Sequence, residues 1–293
     1  MHAIEPTAVS SGEPLRPCVL WLGATAGAEL GFAHAWLVER ADLVVAESPA
    51  LAAAACGPRR PALAILATDR PGRWSLHDAV ALSRLWPLMP IVSVATSLAD
   101  GRRRSGPPLA GVEEVAWHDL PGRLDRWLAE VAAGRPGPLG LPATARREER
   151  LLESNDALER TIRRADAAPV SVAASRGSDL EGLVDLLALA GRRIVRQIRG
   201  RPPLDEPAKL LVWDVGSLEQ EDLAWLRMLS ANRPALGILI LESFPRGDST
   251  QAAVQAGAGA VLGRPVTLEA LVGTLERLES AAPSGLGRGQ GHR

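Results

Sequence analysis

The sequence predicts an α/β protein made of two (βα)5 units, each a five-stranded parallel sheet, joined by a charged helix. Short apolar runs alternate with longer helical segments, and the alternation occurs twice along 293 residues. Such a pattern argues for βαβ units and a parallel sheet. A chain of this length is expected to hold about two domains of ~100–200 residues each, and a 46% hydrophobic composition is enough for two cores. The run Lys209-Leu-Leu-Val-Trp-Asp214 ends in a carboxylate, while Gly257-Ala-Gly-Ala-Val-Leu-Gly-Arg-Pro265 passes from a Gly-rich helix end through a short strand into a basic residue and proline. Chemistry in α/β sheets collects at the carboxyl ends of strands, so Asp214 and Arg264 are expected to face each other across one shallow pocket.

In the first unit, strands are expected at Cys18–Leu22, Leu43–Ala46, Ala62–Leu66, Ile91–Ala95 and Val115–Trp117. Helices are expected at Gly27–Glu39, Pro49–Cys56, Leu76–Trp86 and Gly122–Ala132. In the second unit the strands fall at Val170–Ala174, Ile194–Gln197, Leu210–Trp213, Ile238–Leu241 and Val261–Leu262. Its helices fall at Leu180–Ala190, Glu219–Ser230, Thr250–Ala256 and Leu268–Leu278. One helix is missing from the repeat, where Gly200-Arg-Pro-Pro-Leu-Asp-Glu-Pro207 cannot sustain one. The units span 16–134 and 167–281, and the Gly-, Pro- and Ser-rich ends 1–15 and 282–293 read as disordered.

The segment 135–166 is a Gly/Pro linker followed by a charged helix, Ala143–Ala165. Leu151, Asn155, Leu158, Ile162 and Ala165 alternate spacings of four and three, a short heptad seam with one Asn in it. Asn at such a position fixes register in two-stranded coiled coils. A weak homodimer through this helix is one expectation; a connector lying on one of its own domains is the other.

Composition excludes several functions. A net charge of −1 gives no bulk attraction to nucleic acid or membrane. No apolar run approaches the ~18 residues of a membrane span, and Met1 to Arg16 lacks the apolar core of a signal peptide. Cys18 and Cys56 have no metal spacing, so a reduced cytoplasmic setting is expected. There is no Gly-Lys-Ser/Thr phosphate loop, no tyrosine, and Lys209 is the single lysine. The chain therefore reads as non-enzymatic and without a cofactor.

The two units resemble the receiver domain of bacterial response regulators. In that family an Asp after the third strand accepts phosphate, and a Lys-Pro after the fifth strand contacts it. In the second unit the resemblance places Asp214 at the acceptor, Arg264-Pro265 at the Lys-Pro pair and Gly257-Ala258 at the Gly-Ala before the fifth strand. Glu242 falls at the family's Thr or Ser position, with Ser243 one residue late. The first strand ends Ala173-Ala174-Ser175 where the family has the acidic pair that holds Mg²⁺. In the first unit the acceptor position falls on Ala67, the hydroxyl position on Thr96 and the basic position on His118. Phosphoryl transfer to a carboxylate needs a divalent ion to neutralise developing charge, so neither unit is expected to be phosphorylated by the Mg²⁺-dependent route. Residual phosphorylation at Asp214 is kept as an alternative.

The resemblance thus implies a degenerate tandem receiver that acts through signalling proteins. Its contact faces would be the last helices, Gly122–Ala132 and Leu268–Leu278, with the strands before them. Trp117 and Trp213 flank the strand-end sites and are placed to plug them.

Two rival readings compete. Gly23, Gly27 and Gly31 follow the first strand and Glu47 ends the second, which suggests a dinucleotide site with Glu47 on a ribose. The spacing is Gly-x3-Gly-x3-Gly rather than Gly-x-Gly-x-x-Gly. Arg102, Arg103 and Arg104, with Arg192, Arg193, Arg196, Arg199 and Arg201, suggest nucleic-acid contact. No helix-turn-helix, zinc or RNA-binding pattern accompanies them, and solvated charge runs are the expected reading.

Overall fold

The computed structural model describes residues 16–100, 109–135, 137–162 and 167–281. The expected disordered ends lie outside the described residues, as do Arg102, Arg103, Arg104 and Ala165.

The first unit runs β1 (Cys18–Leu22), α1 (Ala28–Val38), β2 (Asp42–Ala46), α2 (Pro49–Cys56), β3 (Leu63–Thr68), α3 (Leu76–Leu85), β4 (Ile91–Ala95), α4 (Ser97–Asp100), β5 (Glu113–Ala116) and α5 (Leu120–Ala132). The charged helix α6 (Arg147–Ile162) follows. The second unit runs β6 (Val170–Ala174), α7 (Gly177–Leu189), β7 (Ile194–Arg199), β8 (Leu210–Gly216), α8 (Gln220–Asn232), β9 (Gly237–Glu242), α9 (Gly247–Gln255), β10 (Ala260–Gly263) and α10 (Leu268–Ala281). No helix stands between β7 and β8, where the prolines fall.

Both sheets are five-stranded and wholly parallel, in the orders β2-β1-β3-β4-β5 and β7-β6-β8-β9-β10. This is one topology used twice, the doubly wound 2-1-3-4-5 order. The interior strands β3 and β6 are buried along their whole length, as near-continuous apolar runs in a parallel sheet must be. Each sheet has a core on both faces. In the first unit, Trp21, Trp117 and Trp127 pack on one face, and Leu20, Leu22 and Leu82 on the other. In the second, Val172, Leu241 and Leu275 oppose Trp213, Leu226 and Ile240. The uncovered edge strand β7 alternates half-buried and exposed residues, with Arg199 exposed. Charges on an edge discourage strand addition.

Three expectations need correction. The charged helix begins at Arg147 rather than Ala143, because Ala145 closes a turn on Pro142 O (2.9 Å) and Glu149 caps the Arg146 N–H (2.7 Å). The last helices of the two units are not free faces: α5 packs against α10, and this is the main contact between the units. Glycines at the crossing, Gly122 and Gly273, let the backbones meet. Arg123 ties the contact, donating to Glu113 (3.0 Å) of its own unit and Glu269 (2.8 Å) of the other. Trp213 does not plug the phosphate-site position; it lies in the core between sheet and helices, because it is still inside β8, where side chains pack on a sheet face.

Helix α6 lies on the first unit. Arg126 donates to Ala157 O (2.6 Å), Arg160 sits 3.7 Å from Glu130, and Arg150 donates to Gly111 O (3.3 Å). Leu151 and Asn155 of the seam are exposed; the side chains of Leu158 and Ile162 lie outside the described residues.

Candidate functional site

The carboxyl end of β8 carries Asp214, 4% exposed, and β10 leads into Arg264. The ends of β8 and β10, on either side of β9, bring the two together as the sequence predicts. Arg264 Nη1 donates to both carboxylate oxygens of Asp214, at 2.7 and 2.6 Å, and lies 3.3 Å from Asp179 Oδ2. Gly216 N–H completes the Asp214 shell at 3.0 Å. The Arg264 guanidinium is held above its ordinary pKa, first by the Asp214 hydrogen bond and then by both carboxylates, against burial.

Glu242 ends β9 beside this pair and is buried. Desolvation pushes its carboxyl up, opposed by the hydrogen bond from Ser249 Oγ (3.0 Å). Ser243 is half-buried, and its N–H donates to Gly216 O at 2.7 Å. These residues do not fit a divalent ion of the kind the fold family uses. The cationic place between Asp179 and Asp214 is taken by Arg264, β6 ends in Ala174, and the remaining acid resists ionising. Among the described residues no cluster of three or more His, Cys, Asp or Glu side chains is placed for a metal.

In the first unit Ala67 is buried at the acceptor position and offers no carboxylate. Its carbonyl accepts from Trp74 Nε1 at 2.8 Å. That indole lies against Gly23, where φ is +102° and a Cβ would sit 3.0 Å from the ring. Trp74, which sequence reasoning missed, is the side chain that closes this position. Thr96 Oγ1 lies 3.1 Å from Asp69 O and 3.3 Å from Thr68 O, so its hydroxyl is engaged by the β3 end. Glu29 crosses the pocket to accept from Ser97 N (2.7 Å) and Ser97 Oγ (2.6 Å).

Glu29 and Asp179 were also missed. Each lies in the first turn of the first helix of its unit, in Gly27-Ala-Glu-Leu30 and Gly177-Ser-Asp-Leu180. A carboxylate there is favoured by the helix dipole. Aligning the two halves of the sequence on these four residues is the signal that finds them.

The two pockets open on one cleft. A cavity of about 270 Å³ is lined by Thr96 and His118 from the first unit and by Ser243, Phe244 and Arg264 from the second. His118 Nδ1 lies 2.9 Å from Asp119 Oδ1 and 3.3 Å from the Gly263 N–H. One ring nitrogen cannot donate to the first and accept from the second; the shorter contact to a carboxylate is the stronger, so Nδ1–H donates to Asp119.

The residues of the rival readings are placed elsewhere. Gly23 N–H donates to Ala46 O (3.0 Å) and Gly31 N–H to Gly27 O (2.8 Å), so the glycine loop has two of its donors engaged, and Glu47 is exposed. Arg192 is buried against Glu279 (2.9 Å), and Arg201 pairs with Asp222 (3.0 Å) and Glu221 (3.1 Å).

The strand order and the strand-end residues define a response-regulator receiver fold, present twice in one chain. No family model and no curated protein matches the chain. Among solved structures it is similar to a candidate pilus assembly protein (CpaE) from Burkholderia thailandensis, at 29% identity over 38% of this chain and 98% of that one, with a TM-score of 0.36. It is similar to a candidate pilus assembly-related protein from Burkholderia pseudomallei at 24% identity, 38% and 89% coverage and a TM-score of 0.35. The chemotaxis protein CheY4 of Vibrio cholerae follows at 20% identity, 38% and 98% coverage and a TM-score of 0.34. No helix among the described residues is long and apolar enough to cross a membrane.

Proposed function

We propose that this chain is a non-catalytic tandem pseudo-receiver, a regulatory or scaffolding module that works in the cytoplasm of a bacterium through contacts with signalling proteins. The observation that carries the reading is the Arg264 guanidinium held against both oxygens of Asp214 and close to Asp179. A fixed internal cation supplies the charge that a metal would bring, and it engages both Asp214 oxygens. Ala67 removes the acceptor from the other unit altogether.

Because α5 and α10 cover each other, the partner surface is sought elsewhere. Leu98 and Phe244 stand two residues past Thr96 and Glu242, at matching places in the two units, and are 75% and 77% exposed. Large exposed apolar side chains at a cleft mouth suit a protein partner. Exposed Leu151 and Asn155 leave α6 open to a second copy, the weak homodimer.

Acetyl phosphate with Mg²⁺, followed by intact-mass measurement, tests the reading. The mass is expected to stay unchanged. A stoichiometric phosphorylated species that disappears in Asp214→Asn would overturn it. Co-purification of a partner from the native host that is lost in Leu98→Ala with Phe244→Ala would support the surface, and light scattering of Leu151→Glu against the parent chain reads the homodimer.

A further inference from the structure

A cavity of about 200 Å³ lies between the two units, distinct from the strand-end cleft but sharing His118 with it. Its lining comes from α1 and α5 of the first unit and from α9, β10 and α10 of the second. Phe32, Val254 and Val261 give it apolar walls. Phe32 and Val254 are exposed, so a ligand can enter without unfolding the chain. Among the described residues no carboxylate belongs to the lining.

Buried polar atoms without partners gather in this lining. Among the described residues, eight buried side-chain nitrogen and oxygen atoms have no hydrogen-bond partner. Three of the eight belong to side chains of this one cavity: Trp36 Nε1, Thr250 Oγ1 and Arg277 Nε. Each costs the folded chain free energy, so their collection around one space asks for a common partner. Thr250 is 4% exposed, too buried to find that partner in bulk water. Arg277 Nη2 donates to Gly259 O at 3.1 Å, which leaves Nε over. His118 has its Nδ1 on Asp119 at 2.9 Å. Burial disfavours the Arg277 charge most; Asp125, which is not part of the lining, favours it, and Arg40 opposes it.

We infer that this cavity binds a small monocarboxylate with an apolar body, its head on Trp36, Thr250 and Arg277 and its body against Phe32, Val254 and Val261. The indole and guanidinium nitrogens can only donate, and the threonine hydroxyl can donate as well. A carboxylate accepts from all three and has no hydrogen of its own to place. Its bond to a guanidinium is charge-assisted. A dry cavity of ~150 Å³ takes up benzene, so about 200 Å³ suits one ring or a short chain with a two-oxygen head. It falls short of the ~300–1,000 Å³ of larger small-molecule sites, which sets nucleotides aside. The three partners of the head come from α1, α9 and α10, so an occupied cavity ties the two units together.

Isothermal titration of the full chain with benzoate tests the site, with benzyl alcohol as the ring without the anion and inorganic phosphate as the anion without the ring. Benzoate is expected to bind with a Kd on the order of 100 µM, and each of the other two at least ~10-fold more weakly. Thr250→Val keeps the side-chain shape and deletes the hydroxyl, and Trp36→Phe keeps an aromatic ring and deletes the N–H. Each should weaken benzoate at least ~5-fold, while Arg246→Gln, on an exposed residue outside the cavity, should leave it unchanged. Without ligand, Thr250→Val should melt at the same temperature as the parent chain or higher, because the deleted hydroxyl has no partner to lose. No saturable heat with benzoate up to about 10 mM, affinity indifferent to both cavity variants, or benzyl alcohol or phosphate binding as tightly as benzoate, overturns the proposal. So does a lower melting temperature of ligand-free Thr250→Val, which would show the hydroxyl already bonded.

Discussion

Gly122 of α5 and Gly273 of α10 meet backbone to backbone: a Cβ added at Gly122 would fall 2.5 Å from Thr274 Oγ1, and one added at Gly273 would lie 2.8 Å from the Gly122 carbonyl carbon. The contact between the two units therefore depends on two residues without side chains. Gly273→Val should force the helices apart and cost ~1–3 kcal/mol, the range for overpacked contacts. Small-angle scattering should show a larger radius of gyration, with each unit's helix content retained. An unchanged radius would show that the crossing tolerates a side chain.

Asp214→Asn removes the charge from a buried partner of Arg264. Arg264 is about a third exposed and keeps Asp179, so the loss is set at ~1–3 kcal/mol, below that of a fully buried pair. Urea unfolding checks it. Arg264→Lys should lose a similar amount, because an ammonium cannot reproduce the guanidinium's fixed reach to two carboxylates.

Glu242 gives a pH dependence of definite sign. Burial raises its folded-state pKa above the unfolded value, so the folded chain holds this proton where the unfolded chain has released it. Its contribution to stability is therefore full below the ordinary glutamate range and is lost as pH rises through the folded pKa. Asp125 and Glu130 are raised by burial too and act in the same direction. Unfolding free energies measured between roughly pH 4 and 8 should fall less steeply in Glu242→Gln than in the parent chain. Identical slopes would rule out a raised Glu242.

Trp74→Phe keeps most of the ring but deletes the hydrogen bond to Ala67 O. A loss of ~0.5–1.5 kcal/mol is expected. Glu29→Gln, which weakens the link to Ser97, should loosen the β4–α4 turn, read as faster amide exchange at Ser97. Neither change should alter the second unit's stability if the strand-end pockets are independent.

The architecture was legible because a parallel sheet buried on both faces writes its strands as apolar runs, and β3 and β6 do so without interruption. Asp214 and Arg264 were legible for a related reason: strand ends are fixed by those runs, so the residues just past them are fixed as well. Glu29, Asp179 and Trp74 were not, since each comes from a helix or loop whose reach depends on packing. The union of α5 and α10 left a trace that went unused. Gly273 sits inside a helix, where glycine costs roughly 1 kcal/mol against alanine, and a glycine there asks for a packing reason. In α6, five carboxylates and three arginines in sixteen residues gave helix and charge but could not say which neighbour it lies on.

Carrying both units on one polypeptide changes the order of the association reaction. Two separate proteins that met through a glycine crossing would come apart on dilution. Here the linker holds the second partner at a fixed effective concentration, so the fraction paired is the same in a cell making few copies as in one making many. Whatever reads this pair reads a shape that expression level cannot tune.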